Sequence, residues 1–371
     1  MDPDIFDYDL NITNTDLSGL NIAPQLVWNE TRPSPYLNEP WKFQVAPLRY
    51  NIESQSLPFF IPVIETGQTD INKTIYKTTF TFNYGGSERS FTSNVMWQPQ
   101  NFEVSTPSPA DIPNFMDNKY WYCYSIQQFT DCINKAFADT LTGLNSLVVS
   151  LGGTLPTSNP PFLEVNPTDG NFILNSDILG YKSSLVNPIK IYLNTPLFGL
   201  LNSFDAYFYG HQNVPKNYLL KIRDTGTNNL IISPTYTAIQ SYTEYSPIPN
   251  WNPVSSIVFT TNWIPMVGTF VGLPSSISTS SNYLDNVLAS NIQQRIITDF
   301  SVALSTGLEY RPIIQYAPTA ELRWVQLTGS TPLNIIDINV YWKDKFNKLH
   351  PFVLYPGASA SIKLRFKKVS N

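Results

Sequence analysis

Ile336-Asp337-Ile338-Asn339-Val340-Tyr341-Trp342 and, further on, Ser361-Ile362-Lys363-Leu364-Arg365-Phe366 alternate in character from one residue to the next. Successive side chains of a strand point to opposite faces, so Ile336, Ile338, Val340 and Trp342 share one face and Ile362, Leu364 and Phe366 another. The polar run Lys343-Asp344-Lys345-Phe346-Asn347-Lys348 reverses the chain, residues 349–354 read as a strand, and Tyr355-Pro356-Gly357 turns it again. Just upstream, Leu322, Trp324 and Gln326 alternate with Arg323, Val325 and Leu327. The end of the chain therefore predicts an antiparallel meander with one wet face, and the chain as a whole reads as all-β and mainly antiparallel.

Working towards the N-terminus, Tyr76, Thr78, Phe80, Phe82 and Tyr84 occupy one face of a second alternating segment. Gly85-Gly86-Ser87 makes a hairpin turn, and the return strand covers residues 89–97. Residues 57–65 read as a buried strand punctuated by Pro58 and Pro62. One amphipathic helix stands out. Ser125 and Gln128 form a capping-box pattern; Ile126, Phe129, Ile133, Ala136, Phe137 and Leu141 follow helical spacing; Gly143 is the expected stop. A second helix is expected over residues 283–297. Residues 1–50, rich in proline and acidic residues, read as an extended arm, and residues 51–371 as the main domain, with 144–285 as an inserted or projecting β region. Residues 245–284 and 144–163 carry no charged side chain, which fits either subunit contacts or ordinary core with polar loops.

Composition points away from chemistry and towards assembly. The 371 residues include 2 His and 2 Cys beside 8 Trp, 21 Tyr, 22 Phe and 30 Pro. His211 and His350 lie far apart and lack metal-ligand spacing; Cys123 and Cys132 fit neither a zinc knuckle nor a redox pair. Gly152-Gly153 lacks the lysine and further glycines of a phosphate loop. No catalytic, cofactor or metal residue is assigned, and no enzyme activity is expected. Charged residues are 14% of the chain against roughly 25% in an ordinary soluble protein, so much of the surface is expected to be covered by other copies. The net charge is −5, and residues 1–10 carry Asp2, Asp4, Asp7 and Asp9 in place of a basic arm. Direct nucleic-acid binding is therefore not expected, although Lys363, Arg365, Lys367 and Lys368 make a dense basic tail. No signal peptide or membrane span is visible. The sequons at Asn11, Asn29 and Asn72 carry little weight without one.

The closing pattern, Leu327-Thr328-Gly329 through Ile336–Trp342 and on to Ser361–Phe366, resembles the last strands of jelly-roll structural proteins of icosahedral viruses, of the capsid or penton type. The resemblance covers about the last fifth of the chain. It implies a viral jelly-roll β-sandwich with long loops, at least one amphipathic helix and an inserted or second β region. It also implies a capsid structural protein that self-assembles into an icosahedral shell, located in the virion after synthesis in host cytoplasm or nucleus. The implied partners are other copies, other virion proteins, and a host receptor or glycan. The alternative is a virion projection or lectin-like protein, whose exposed Trp and Tyr would stack on sugars.

Overall fold

The computed structural model describes residues 4–15, 25–53, 57–65, 68, 70, 72–98, 121–210, 214–268, 295–302, 304–305, 309–310, 313–317, 322–345 and 347–369. They fall into two units: Met1–Leu57, Pro253–Ser305 and Tyr310–Asn371 form the first, Pro58–Asn252 and Thr306–Glu309 the second.

The first unit is built from strands β1 (Ile5–Thr13), β2 (Val27–Thr31), β3 (Phe43–Glu53), β13 (Val254–Thr261), β14 (Arg295–Phe300), β17 (Ile313–Tyr316), β18 (Val325–Gln326), β19 (Ile335–Asp344), β20 (Leu349–Pro351) and β21 (Ser359–Lys368). β4 to β12 belong to the second unit, and the two-residue strands β15 (Leu304–Ser305) and β16 (Glu309–Tyr310) lie between β14 and β17 in the chain. One sheet runs β1-β21-β3-β17, with β18 also on β3; the other runs β14-β13-β19-β2, with β20 also on β19. Counting β17 with β18 and β20 with β2 as broken strands sharing an edge leaves eight positions. The first sheet then holds the first, last, third and sixth, and the second holds the fifth, fourth, seventh and second. That alternation between two antiparallel sheets is the jelly roll.

The two sheets of this unit meet through rings. Tyr50 of β3 stacks on Phe259 of β13 at 4.1 Å and lies 5.5 Å from Phe300 of β14, which in turn stacks on Tyr316 of β17 at 5.2 Å. Ala360, Ile362, Leu364 and Phe366 of β21 are all buried, as the alternation requires, while Lys363 and Arg365 are partly exposed.

Three expectations change in this unit. Residues 1–50 are not an arm standing apart: β1 pairs with β21 along its whole length, and β3 flanks β21 on the other side. Asp7 and Asp9, two of the acidic residues that suggested an arm, lie on the exposed face of β1. The meander ends at β20, because Tyr355-Pro356-Gly357 sends the chain across to the other sheet. Nor is the second face of β19 wet, since Asp337 and Asn339 are buried. The helix expected over 283–297 lies outside the described residues except for Arg295–Ile297, which open strand β14.

The second unit has strands β4 (Lys77–Tyr84), β5 (Ser87–Asn94), β6 (Phe162–Val165), β7 (Phe172–Asp177), β8 (Lys190–Leu193), β9 (Ala206–Phe208), β10 (Tyr218–Leu220), β11 (Asn229–Ser233) and β12 (Tyr236–Tyr242), with helices α1 (Ile126–Ser150), α2 (Ile178–Tyr181) and α3 (Thr195–Leu200). Its sheets run β5-β4-β8-β10-β9 and β11-β12-β7-β6. The hairpin forms as read, with Gly85 and Gly86 at φ +62° and +77°. Both faces of β4 are buried, however, because α1 covers the Phe80 side and Thr79 and Thr81 are covered too. This unit begins at Pro58, well before the region 144–285, and β13 inside that range belongs to the jelly roll. Its lack of charge reflects a central strand buried on both faces.

Residues 57–65 are buried but irregular. Pro58 and Pro62 cannot donate to a ladder, so the segment is tied by single bridges, Phe60 to Cys123 and Ile64 to Thr74. In α1 the Ser125 hydroxyl accepts from the Gln128 N–H at 3.1 Å, while the Gln128 side chain accepts the Tyr124 N–H rather than that of Ser125. The helix runs on past Gly143, whose bare Cα lies against the Phe91 ring. Its stop is Gly152 at φ +79°: the Gly152 N–H donates to Val149 O and the Gly153 N–H to Val148 O, the Schellman pair. Gly152→Ala is expected to lower stability by about 1–2 kcal/mol through backbone strain alone, since open space surrounds the position. Urea titration followed by far-UV circular dichroism checks it, with Gly152→Asn expected to lose less.

Candidate interaction surfaces

Among the described residues, His350, Cys123 and Cys132 are buried in the fold. His350 is buried, 3.0 Å from Asp344 and stacked on Trp342 at 4.0 Å. His211 lies outside the described residues. Cys123 and Cys132 are buried free thiols; burial pushes the Cys123 pKa far up and that of Cys132 up to about 12, which suppresses the reactive thiolate. Asp131 accepts from Gln127, and Asp139 pairs with Lys135. Asp177 is buried and accepts from Thr157 Oγ1, Asn159 Nδ2 and the Leu179 N–H. Among the described residues no cluster of three or more His, Cys, Asp or Glu could hold a metal ion. No described helix is long and apolar enough to cross a membrane.

The basic tail has partners that its sequence did not name. In the β1–β21 register Asp7 lies opposite Arg365, and Asp9 opposite Lys363. Arg365 donates to both Asp7 oxygens at 2.7 and 2.8 Å, Arg49 reaches Asp9 at 3.0 Å, and Lys368 lies 3.6 Å from Asp4. Lys363 lies 3.9 Å from both Asp7 and Asp9, and Lys367 sits over the Trp324 ring. Both segments carry like charges two apart, and that shared period is the signal that would have paired them. The pKa of Asp7 is held below the usual carboxylate value, first by its hydrogen bond from Arg365. Its stabilising effect is therefore present above the unfolded carboxylate pKa and lost as pH falls through the lower, folded one. The pair is exposed and screened. A double-mutant cycle with Asp7→Asn and Arg365→Gln should give a coupling below ~1 kcal/mol at neutral pH that vanishes in acid.

A buried carboxylate builds one exposed surface of the jelly-roll unit. Asp337 of β19 accepts from Thr261 Oγ1 at 2.5 Å, from the Asn262 N–H at 2.8 Å and from the Trp263 N–H at 2.9 Å. Arg295 donates to Asn262 O, and the Thr328 N–H to Pro265 O. Residues 262–265, which follow β13, are thus fixed, yet Trp263 is 57% exposed, and nearby Val267 is 64% exposed. A rigidly held, exposed tryptophan is the sort of anchor that dominates protein interfaces.

In the second unit exposed apolar residues gather on two sheet edges. β11 carries Leu230, Ile231 and Ile232, with Ile231 77% exposed, and its other side has no strand among the described residues. Natural edge strands are usually guarded by charge. Residues 225–243 contain no Asp, Glu, Lys or Arg, and that uncharged stretch is the sequence signal for this edge. β9 is the other edge, where Tyr207 and Phe208, followed by Tyr209, are each about half exposed. These surfaces can associate by burial and strand pairing; they carry no reactive constellation.

A sequence model of the family described as Sputnik minor capsid protein V18/19 matches residues 5–368. Among curated relatives, structural protein V19 of Sputnik virophage is 29% identical over 197 residues, 51% of this chain and 86% of the relative. Uncharacterized protein V18 of the same virophage is 25% identical over 119 residues, 31% of this chain and 70% of the relative. A chain in the cryo-electron-microscopy structure of Sputnik virophage superposes with a TM-score of 0.80 at 24% identity, covering 99% of this chain and 98% of that one. The crystal structure of the mavirus penton protein superposes at 0.64 with 16% identity, covering 98% and 99%.

Proposed function

The chain belongs to the Sputnik minor capsid protein V18/19 family and is a viral capsid structural protein, and from that premise we propose that it is a penton-type subunit, closing the five-fold vertices of an icosahedral shell. The observation that carries this is the eight-position jelly roll, whose likeness to a penton protein extends over 98% of the chain. A vertex subunit must meet its own copies around a symmetry axis and other virion proteins outside the ring. The loop that fixes Trp263 and the uncharged edge β11 are surfaces suited to such contacts. On this reading the protein acts by shape and burial, without turnover, and its place is the virion. Native mass spectrometry and negative-stain microscopy of the purified full chain test it. Five-membered rings are the expected result; a monomer that persists at high concentration across salt and pH would overturn it.

A further inference from the structure

Strands β8 and β10 pair at Tyr192–Leu219 and Leu193–Tyr218 and at no further position. Beyond that point a pocket of about 250 Å³ opens between residues 188–191 and 219–223. Its depth is apolar, with Tyr181, Ile189 and Ile222 buried. Its lining also carries Lys190, Lys221, Arg223 and Tyr207. Two of these cations share Asp205, which lies 2.7 Å from Lys221 and 3.4 Å from Arg223, while the adjoining Asp224 is taken up by Lys182 at 2.6 Å. Lys190 has no carboxylate partner among the described residues. In a chain of net charge −5 this is a local excess of positive charge. Tyr207 has the Lys221 ammonium 4.2 Å from its ring centroid and remains 53% exposed.

An apolar depth, a tyrosine wall and an unbalanced set of cations suit one ligand chemistry. The ligand should be small, with an apolar ring face, hydroxyl groups and a negative charge. We propose that this pocket binds the acidic terminal sugar of a glycan, the carboxylate or sulfate meeting Arg223 and Lys190 and the ring lying on Tyr207. A nucleic acid is a poorer fit, because phosphate tracking needs a line of cations and not one enclosed group. The assignment stands apart from the penton reading, since it depends on the second unit alone.

The test uses the purified full chain, its assembly state recorded on the same sample, against an array of neutral, sialylated, uronate-bearing and sulfated glycans. Saturable binding is expected to acidic members at least 10-fold tighter than to their neutral counterparts, and weaker in high salt. Lys190→Gln and Arg223→Gln should each weaken it 10-fold or more with melting temperature unchanged. Tyr207→Ala should weaken acidic and neutral sugars alike. The sialylated, uronate and sulfated arms show which acid is taken. Equal binding of neutral and acidic glycans overturns the proposal. So does binding that survives both charge substitutions, or no binding by protein shown to be folded.

Discussion

Asp337→Ala is expected to destabilise the jelly-roll unit by about 4 kcal/mol and to abolish ring formation. The carboxylate is buried and accepts from one hydroxyl, two main-chain N–H groups and the Asn339 amide. Alanine leaves those donors, the buried Thr261 hydroxyl among them, without their acceptor, and a hydrogen bond to a charged group is worth more than a neutral one. The Trp263 loop then loses its fixed shape. Asp337→Asn keeps one acceptor but points an amide N–H into a ring of donors, so a loss of about half that size is expected. Hydrogen exchange read by mass spectrometry checks the account. Protection should fall in β13 and β19 and persist in α1 and β7. Unchanged protection around Trp263 would mean that the loop is held by something else.

Trp251→Ala should have the comparable effect in the second unit, about 3–5 kcal/mol. Trp251 is 2% exposed and is surrounded by Phe172 at 5.1 Å, Phe129 at 5.0 Å, Phe60 at 6.0 Å and Phe59 at 6.4 Å. Its indole N–H donates to Leu200 O at 2.7 Å. Truncation opens a cavity among rigid rings that cannot collapse to fill it, and it orphans the carbonyl. Trp251→Phe keeps most of the packing and loses the N–H, so about 1–2 kcal/mol is expected. The exchange pattern should be the reverse of the first variant, with α1 and β7 exposed early and β13 and β19 spared. Each unit has its own buried aromatic cluster, so a single melting temperature is a poor readout for either variant.

Much of the fold was legible because sheet periodicity is local. Residues 76–97 and 335–368 showed their strands and turns through alternation, though β4 and β19 proved buried on both faces, and the turn glycines sit where positive φ requires them. What could not be read was partnership. Asp7 and Asp9 share their period with Lys363 and Arg365, but those partners lie more than 340 residues away, so an edge strand passed for an arm. Gly143 passed for a helix stop because a glycine that admits a ring looks the same in sequence as one that ends a helix. The candidate surfaces were harder still. Two of the uncharged stretches drew attention, yet the strand Val254–Thr261 within one of them is core, while the exposed edge Asn229–Ser233 lay in a third. Absence of charge marks burial, and sequence alone does not tell burial within a chain from burial between chains.

Every strand position of the sandwich is supplied from outside Pro58–Asn252, and the chain leaves the sandwich after Leu57 and re-enters at Pro253. That stretch behaves as a cassette spliced into a single crossover. Its length and content can change without altering the order in which the sandwich strands follow one another.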